Sequence, residues 1–186
     1  MEDLNKIIEK CSSGDARAQA KLYEFYAPIM FGVCLRYASN ITDAEDNLQD
    51  GFIKVFKYIG KFRHEGSFEG WIRRIIIHES IGKYRKQMIM YPVENVEIYE
   101  KPNYSDDILD NISAQELIKL IQELTPRYRM VFNLYVLEGM NHNEISKEMN
   151  ISVGTSKSNL ARAREVLQGK VKELYNEINI NANSTA

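Results

Sequence analysis

Between Gln87 and Ile112 the chain runs for 26 residues with two prolines, Pro92 and Pro102, several acids and no sustained hydrophobic period. One continuous core cannot be built through such a stretch. It reads as a linker, and it leaves two flanking parts that must each bury their own apolar faces. Both parts read as helix. Strand-like alternation is absent, and glycines and prolines fall mostly between helical periods. With 186 residues in all, each part has the size of one small domain. The expectation is an all-α protein of two small helical domains joined by a flexible linker. Its divisions are 1–86, an acidic linker 87–112, a helix-turn-helix domain 113–175, and a polar tail 176–186.

Charge follows the same divisions. The formal net charge is −2, from 24 basic and 26 acidic residues. Residues 1–90 carry 14 basic and 12 acidic side chains, residues 91–124 carry 2 and 8, and residues 125–186 carry 8 and 6. The balances are +2, −6 and +2, so an acidic segment separates two mildly basic ones. The two cysteines, Cys11 and Cys34, form no CxxC and join no Cys/His cluster. A disulfide framework or structural zinc is not expected. The acidic N-terminus lacks the apolar run of a signal peptide, and Ala27 to Leu35 is too short to cross a bilayer. These features predict a cytoplasmic chain with no membrane insertion.

Leu22, Tyr26, Ile29, Met30 and Phe31 predict a helix kinked or restarted at Pro28. Thr42 to Glu45 reads as a capping box with Thr42 as cap, opening a helix to about Ile59. A further helix spans Phe68 to about Tyr84. After the linker, helix resumes from Ser113 to Leu124, and Thr125-Pro126 starts another that ends at Gly139. The tail NEININANSTA is polar and expected to fray.

Residues 141–167 predict a short helix capped by Asn141, with Ile145 and Met149 as its apolar pair, a tight turn, and a second helix capped by Ser152. On that second helix Leu160, Ala163 and Leu167 fall inward. Ser158, Ala161 and Arg162 fall outward, flanked by Thr155, Lys157 and Asn159. A short, polar, basic outer face behind a tight turn fits the reading helix of a helix-turn-helix. Such a face lets side chains reach base edges, with Arg162 and Arg164 meeting bases or phosphates. A solvated amphipathic helix is the plainer alternative.

In the helix after Thr42, Leu48, Phe52, Val55, Phe56 and Ile59 form one apolar stripe. Asp43, Asp46 and Asp50 lie together on the far side beside Gln49 and Ile53. Acids favour a helix start, and Lys54 could pair with Asp50. Equally, an acidic strip with an exposed isoleucine suits docking to a basic helix. Residues 61–86 then carry seven basic side chains against three acids, interleaved with Phe62, Phe68 and Trp71. Rings that stack on bases and cations that follow phosphates suit single-stranded DNA. Trp71 and the isoleucines read as core, which leaves Arg63 to Ser67 for base capture. Arg74, His78 and Arg85 share one helix face. Enzyme motifs fail: HESIG from His78 has Gly82 where HExxH needs histidine, and no phosphate-binding loop or nucleophile elbow occurs. No catalytic residue, metal ligand or cofactor is expected.

In this order the motifs resemble an extracytoplasmic-function sigma factor of the sigma-70 type. DAEDNLQDGFIKVF resembles the region 2 helix that docks on the clamp helices of the RNA polymerase β′ subunit. FRHEGSFEGWIRRI resembles the part of region 2 that melts and reads the −10 element. Residues 124–167 resemble region 4, which reads the −35 element and touches the β flap. The resemblance covers about residues 5–86 and 113–172. It implies core-polymerase contacts at Asp46, Gln49, Asp50 and Ile53. It implies −10 contacts at Phe62, Arg63, His64, Arg74 and His78, and −35 contacts at Thr155, Lys157, Ser158 and Arg162. It also implies promoter DNA, polymerase core and an anti-sigma factor as partners. His78 stands where the family usually has asparagine, and Asn159 where a basic residue is common.

The linker sets the reach. Twenty-six residues span at most roughly 90 Å extended and roughly 28 Å as a coil, against about 34 Å per DNA turn. Two domains so tethered can sit on DNA sites more than a turn apart. Two other readings stay open: a stand-alone helix-turn-helix regulator, and a metal-dependent nucleic-acid enzyme using the aspartate strip.

Overall fold

Asp15 begins the first long helix by accepting backbone N–H bonds from Arg17 and Ala18 at 2.8 and 3.0 Å. Those bonds hold its carboxyl below the usual carboxylate range. The computed structural model describes residues 4–90 and 113–183, and the side chains of 4–87 and 113–175. They fall into two compact units that divide after Lys86. No strand occurs among the described residues.

The first unit holds α1 (Leu4–Ser12), α2 (Ala16–Tyr37), α3 (Ile41–Tyr58), a 3₁₀ turn (Ile59–Lys61) and α4 (Phe68–Met90). α2 is one helix of 22 residues with Pro28 inside it, not two. Pro28 cannot donate to the carbonyl of Glu24, but both residues lie on the exposed face, where water can do so. α3 starts earlier than Thr42: its cap is Asn40, whose Oδ1 accepts from the Asp43 amide at 2.8 Å. Asn40 Nδ2 also donates to the Asp43 carboxylate at 3.0 Å. Asn40 thus caps α3 in place of Thr42, and Asp43 bonds its side chain where Glu45 is expected to reach back to the cap.

Leu48, Phe52, Val55 and Ile59 of the α3 region are buried, as are Met30 and Val33 of α2, which packs on α3, and the isoleucines 72, 76 and 81 of α4. Gly51 sets the spacing of α3 and α4. A Cβ on Gly51 would stand 2.7 Å from Ile76 Cγ1, and Ile76 is fully buried. Gly51→Ala is therefore expected to destabilise this unit by about 1–3 kcal/mol through overpacking. Trp71, the chain's one tryptophan, lies in this unit, so its fluorescence transition during thermal unfolding measures the effect. Cys11 and Cys34 are free and buried. Burial pushes the Cys34 thiol up to about 12, which keeps it unreactive.

α4 continues to Met90, four residues into the stretch read as linker. Lys83 to Met90 contains no breaker, and the first obstacle is Pro92, which disfavours helix at the residue before it. The rest of the expected linker, 91–112, lies outside the described residues.

The second unit holds α5 (Ala114–Gln122), α6 (Pro126–Phe132), a π turn (Asn133–Leu137), α7 (His142–Met149) and α8 (Val153–Asn183). Ser113 and Glu116 form a complete capping box on α5. The core joins Leu120, Ile121 and Leu124 to Ala163, Leu167 and Val171, with Tyr128, Phe132 and Tyr175 packed around them. Arg129 is buried at 4% exposure, and its Nη2 donates to the carbonyls of Gln122 and Leu124, both at 2.7 Å. It thereby completes the C-terminal end of α5, where Pro126, four residues after Gln122, has no N–H to offer. Helix α8 runs on to Asn183, through most of the expected tail.

Candidate nucleic-acid interface

Asn141 opens α7. Its Oδ1 accepts from the amides of Asn143 and Glu144 at 2.9 and 3.1 Å, and Glu144 Oε2 accepts from the Asn141 amide at 2.8 Å. α7 ends at Asn150, which takes a left-handed φ of +54°. Asparagine tolerates that conformation better than most residues, so the chain can reverse within two residues. Ser152 then caps α8, its Oγ accepting from the Thr155 amide at 2.9 Å. The two helices are joined by His142 Nδ1, 2.9 Å from the hydroxyl of the buried Ser156. This is a helix, a tight turn and a second helix; its caps are local bonds that the residue pattern anticipates, while the His142–Ser156 bond comes from packing.

On α8 the inward set is Leu160, Ala163 and Leu167, as expected, and Thr155, Lys157, Ser158 and Ala161 are exposed. Two residues depart. Asn159, expected to flank the outer face, is buried at 9%, and its Nδ2 has no hydrogen-bond partner among the described residues. At 100° per residue Asn159 lies nearer to Ala163 than to Lys157, which is why the core claims it. Arg162 is on the outer side but not open: only 17% of its side chain is exposed, and Nη1 donates to Glu165 Oε2 at 2.7 Å. The Thr155 hydroxyl is shared with Ser152 at 2.8 Å, and the Ser158 hydroxyl donates to the Thr155 carbonyl at 3.1 Å.

A second layer borders this face. The His142 ring stacks on Tyr135 at 4.7 Å, and the Arg164 guanidinium lies over the same Tyr135 ring at 5.7 Å. Burial, with Lys157 and Arg164 nearby, holds His142 below its usual value of 6.5. The unfolded chain therefore takes up this proton at higher pH than the folded one. Unit stability from this residue is complete above pH 6.5 and falls as pH drops through that value. Urea unfolding followed by circular dichroism is expected to show the fall, and His142→Gln to flatten it. Tyr135, His142 and Glu165 are side chains that reading the sequence passed over. Glu165, seven residues after Ser158, could have been found by completing the face count.

In the first unit, Asp46, Gln49 and Ile53 lie exposed along α3, and Ile53 keeps 65% of its surface. Asp50 is half-buried and pairs with Lys83 of α4 at 2.6 Å. Lys54, the partner expected for Asp50, pairs instead with Glu79 of α4. Two helices side by side offer closer partners than one helix turn does. Among the described residues, no three His, Cys, Asp or Glu groups come together as a metal cluster. No described helix is long and apolar enough to cross a membrane.

The loop before α4 brings Arg63 and His64 to the surface, with His64 at φ +58° and Gly66 at +103°. Phe62 is not a free platform. It is half-buried, with ring centroids 4.6 Å from His64, 5.1 Å from Phe68 and 5.6 Å from Trp71. Ser67 Oγ accepts from the Gly70 amide at 3.1 Å at the start of α4. Further along that helix Arg74 and His78 are exposed one turn apart. Loop and helix thus bring Arg63, His64, Arg74 and His78 to the surface of one unit, and Thr155, Lys157 and Ser158 belong to the other.

Comparison with known proteins gives two family matches. The model described as Sigma-70 region 2 matches residues 22–88, and that described as Sigma-70, region 4 matches residues 114–167. Among curated relatives, the ECF RNA polymerase sigma factor SigW of Bacillus subtilis is 29% identical over 184 residues, covering 92% of this chain and 98% of that protein. The ECF RNA polymerase sigma-E factor of Haemophilus influenzae is 27% identical over 90% of this chain and 95% of that one. The RNA polymerase sigma-H factor of Pseudomonas aeruginosa is 28% identical over 95% and 97%.

Proposed function

Since the chain belongs to the extracytoplasmic-function branch of the sigma-70 family and is an RNA polymerase sigma factor for transcription initiation, we propose how its surfaces divide that work. α3 docks on the β′ clamp helices through Asp46, Gln49, Asp50 and Ile53. The loop and outer face of α4 engage the melted −10 element through Arg63, His64, Arg74 and His78, with Phe62 shaping the loop from beneath. α8 reads the −35 element through Thr155, Lys157, Ser158 and Arg162, and the second unit touches the β flap. The observation that carries this reading is the α7–turn–α8 pair with its exposed Thr155, Lys157 and Ser158.

The domain map follows: 1–86 for docking and the −10 element, 87–112 as acidic tether, 113–175 for the −35 element, and 176–186 beyond it. The chain supplies recognition and no catalysis, works in the cytoplasm, and is held in check by an anti-sigma factor. Its near-neutral charge suits weak DNA binding alone and strong binding once polymerase has taken up its acidic surfaces.

Transcription in vitro with purified core polymerase tests the reading. Promoter-specific initiation that depends on both core and this chain is expected. Protection of a palindromic site without polymerase would point to a stand-alone regulator. Metal-dependent DNA cleavage lost on Asp46→Ala would point to a nuclease.

A further inference from the structure

The outer face of α8 carries an acid where DNA would lie. At 100° per residue, Glu165 returns to within about 20° of Ser158. A bare carboxylate there would be repelled by phosphates and would weaken every DNA complex. This one is not bare. Glu165 Oε2 accepts from Arg162 Nη1 at 2.7 Å, and the two side chains keep 32% and 17% of their surface. The spacing i, i+3 is one at which helix side chains meet, and the packed arginine stem leaves the pair less freedom than two solvated charges have.

We infer that Glu165 is a positioning residue that sets −35 specificity through Arg162. An arginine is a rigid fork of five donors, able to take a guanine edge in two bonds. Unrestrained on a long stem, the same group pairs with any phosphate within reach and binds all sequences alike. Tied to Glu165, the guanidinium is offered in one orientation, and a register that does not place an acceptor there is left facing a carboxylate. Specificity is thereby gained at the expense of affinity. The inference rests on the reading that α8 faces the −35 DNA.

The test uses holoenzyme assembled from core polymerase and the full chain. It is presented with duplexes that carry a fixed −10 region and a randomised −35 segment. Wild-type holoenzyme is expected to enrich a defined −35 sequence. Glu165→Gln, which keeps the shape and removes the charge, is expected to lower the discrimination between that sequence and the unselected pool about tenfold. It should also steepen the salt dependence of binding to the pool by about one unit of slope. In an Arg162→Ala background the carboxylate stands bare, so Glu165→Gln should strengthen binding to all sequences alike and leave the discrimination unchanged. Unaltered discrimination in Glu165→Gln overturns the inference. So does an equal loss of discrimination in the Arg162→Ala background, since the carboxylate would then act on specificity by itself. A wild-type holoenzyme that enriches no −35 sequence removes the premise that α8 reads DNA, and the inference falls with it; a merely structural role would shift melting temperature and leave the salt slope in place.

Discussion

Arg129→Met is expected to unfold the second unit at a temperature more than about 10 °C lower than wild type, while the first unit melts unchanged. The methionine fills much of the same space, so the loss isolates the hydrogen bonds. The part-buried carbonyl of Gln122 and the buried carbonyl of Leu124 each lose a donor at 2.7 Å. A hydrogen bond to a charged group contributes about 1.5–3 kcal/mol, and a buried acceptor left without a donor costs about 1–3. A combined loss of about 3 kcal/mol in a small domain corresponds to that fall in melting temperature. The measurement separates the units because Trp71 belongs to the first. Its fluorescence transition should stay where it is while the circular dichroism transition of the remaining helix moves down. Coincident shifts of both signals would show that Arg129 acts on the whole chain and not on the α5–α6 junction.

Ile53→Arg is expected to weaken assembly with core polymerase by about tenfold or more, with little change in stability. Ile53 keeps 65% of its surface and has no place in the core of its unit. Surface substitutions of that kind usually change stability by less than about 0.5 kcal/mol. An exposed apolar residue within an acidic strip has the character of an interface anchor, whose loss costs about 1 kcal/mol or more. An arginine adds repulsion if the partner helix is basic. Asp50→Arg is the less clean probe, because Asp50 holds Lys83 at 2.6 Å and reversing its charge would set two cations against each other. Competition for core polymerase between variant and wild-type chains reads the effect. Equal competition would place the docking surface elsewhere than α3.

The helices were legible in the sequence because their signals are local. Asn141, Ser113 and Ser152 announce the starts of α7, α5 and α8 by side chains that bond amides two or three residues on. The apolar stripes of α3 and α8 follow from 3.6 residues per turn and give their buried faces directly. The ends of helices were less legible. Asn40 displaced Thr42 as the α3 cap, since two cap-competent residues two positions apart compete and only the preceding chain path decides between them. α4 and α8 ran past their expected ends because no breaker stops them, and weak periodicity is not itself a stop signal.

The candidate sites divide in the same way. Which residues could be exposed on α3, α4 and α8 follows from spacing, and spacing also marks Arg63 and His64 as loop residues. Partners across helices do not follow from it. That Lys83 rather than Lys54 takes Asp50, that Phe62 leans into Phe68 and Trp71, that Asn159 turns inward and that His142 reaches Ser156 are all decided by packing of one element on another. The sequence by itself determined the helical class, the two-part organisation, the helix-turn-helix and its outward face, because each of these is a pattern of near neighbours. Only the tertiary structure decided which charges on those faces are open and which are already engaged. That outcome depends on which side chains the packed helices bring within hydrogen-bond reach, and no period of the chain encodes it.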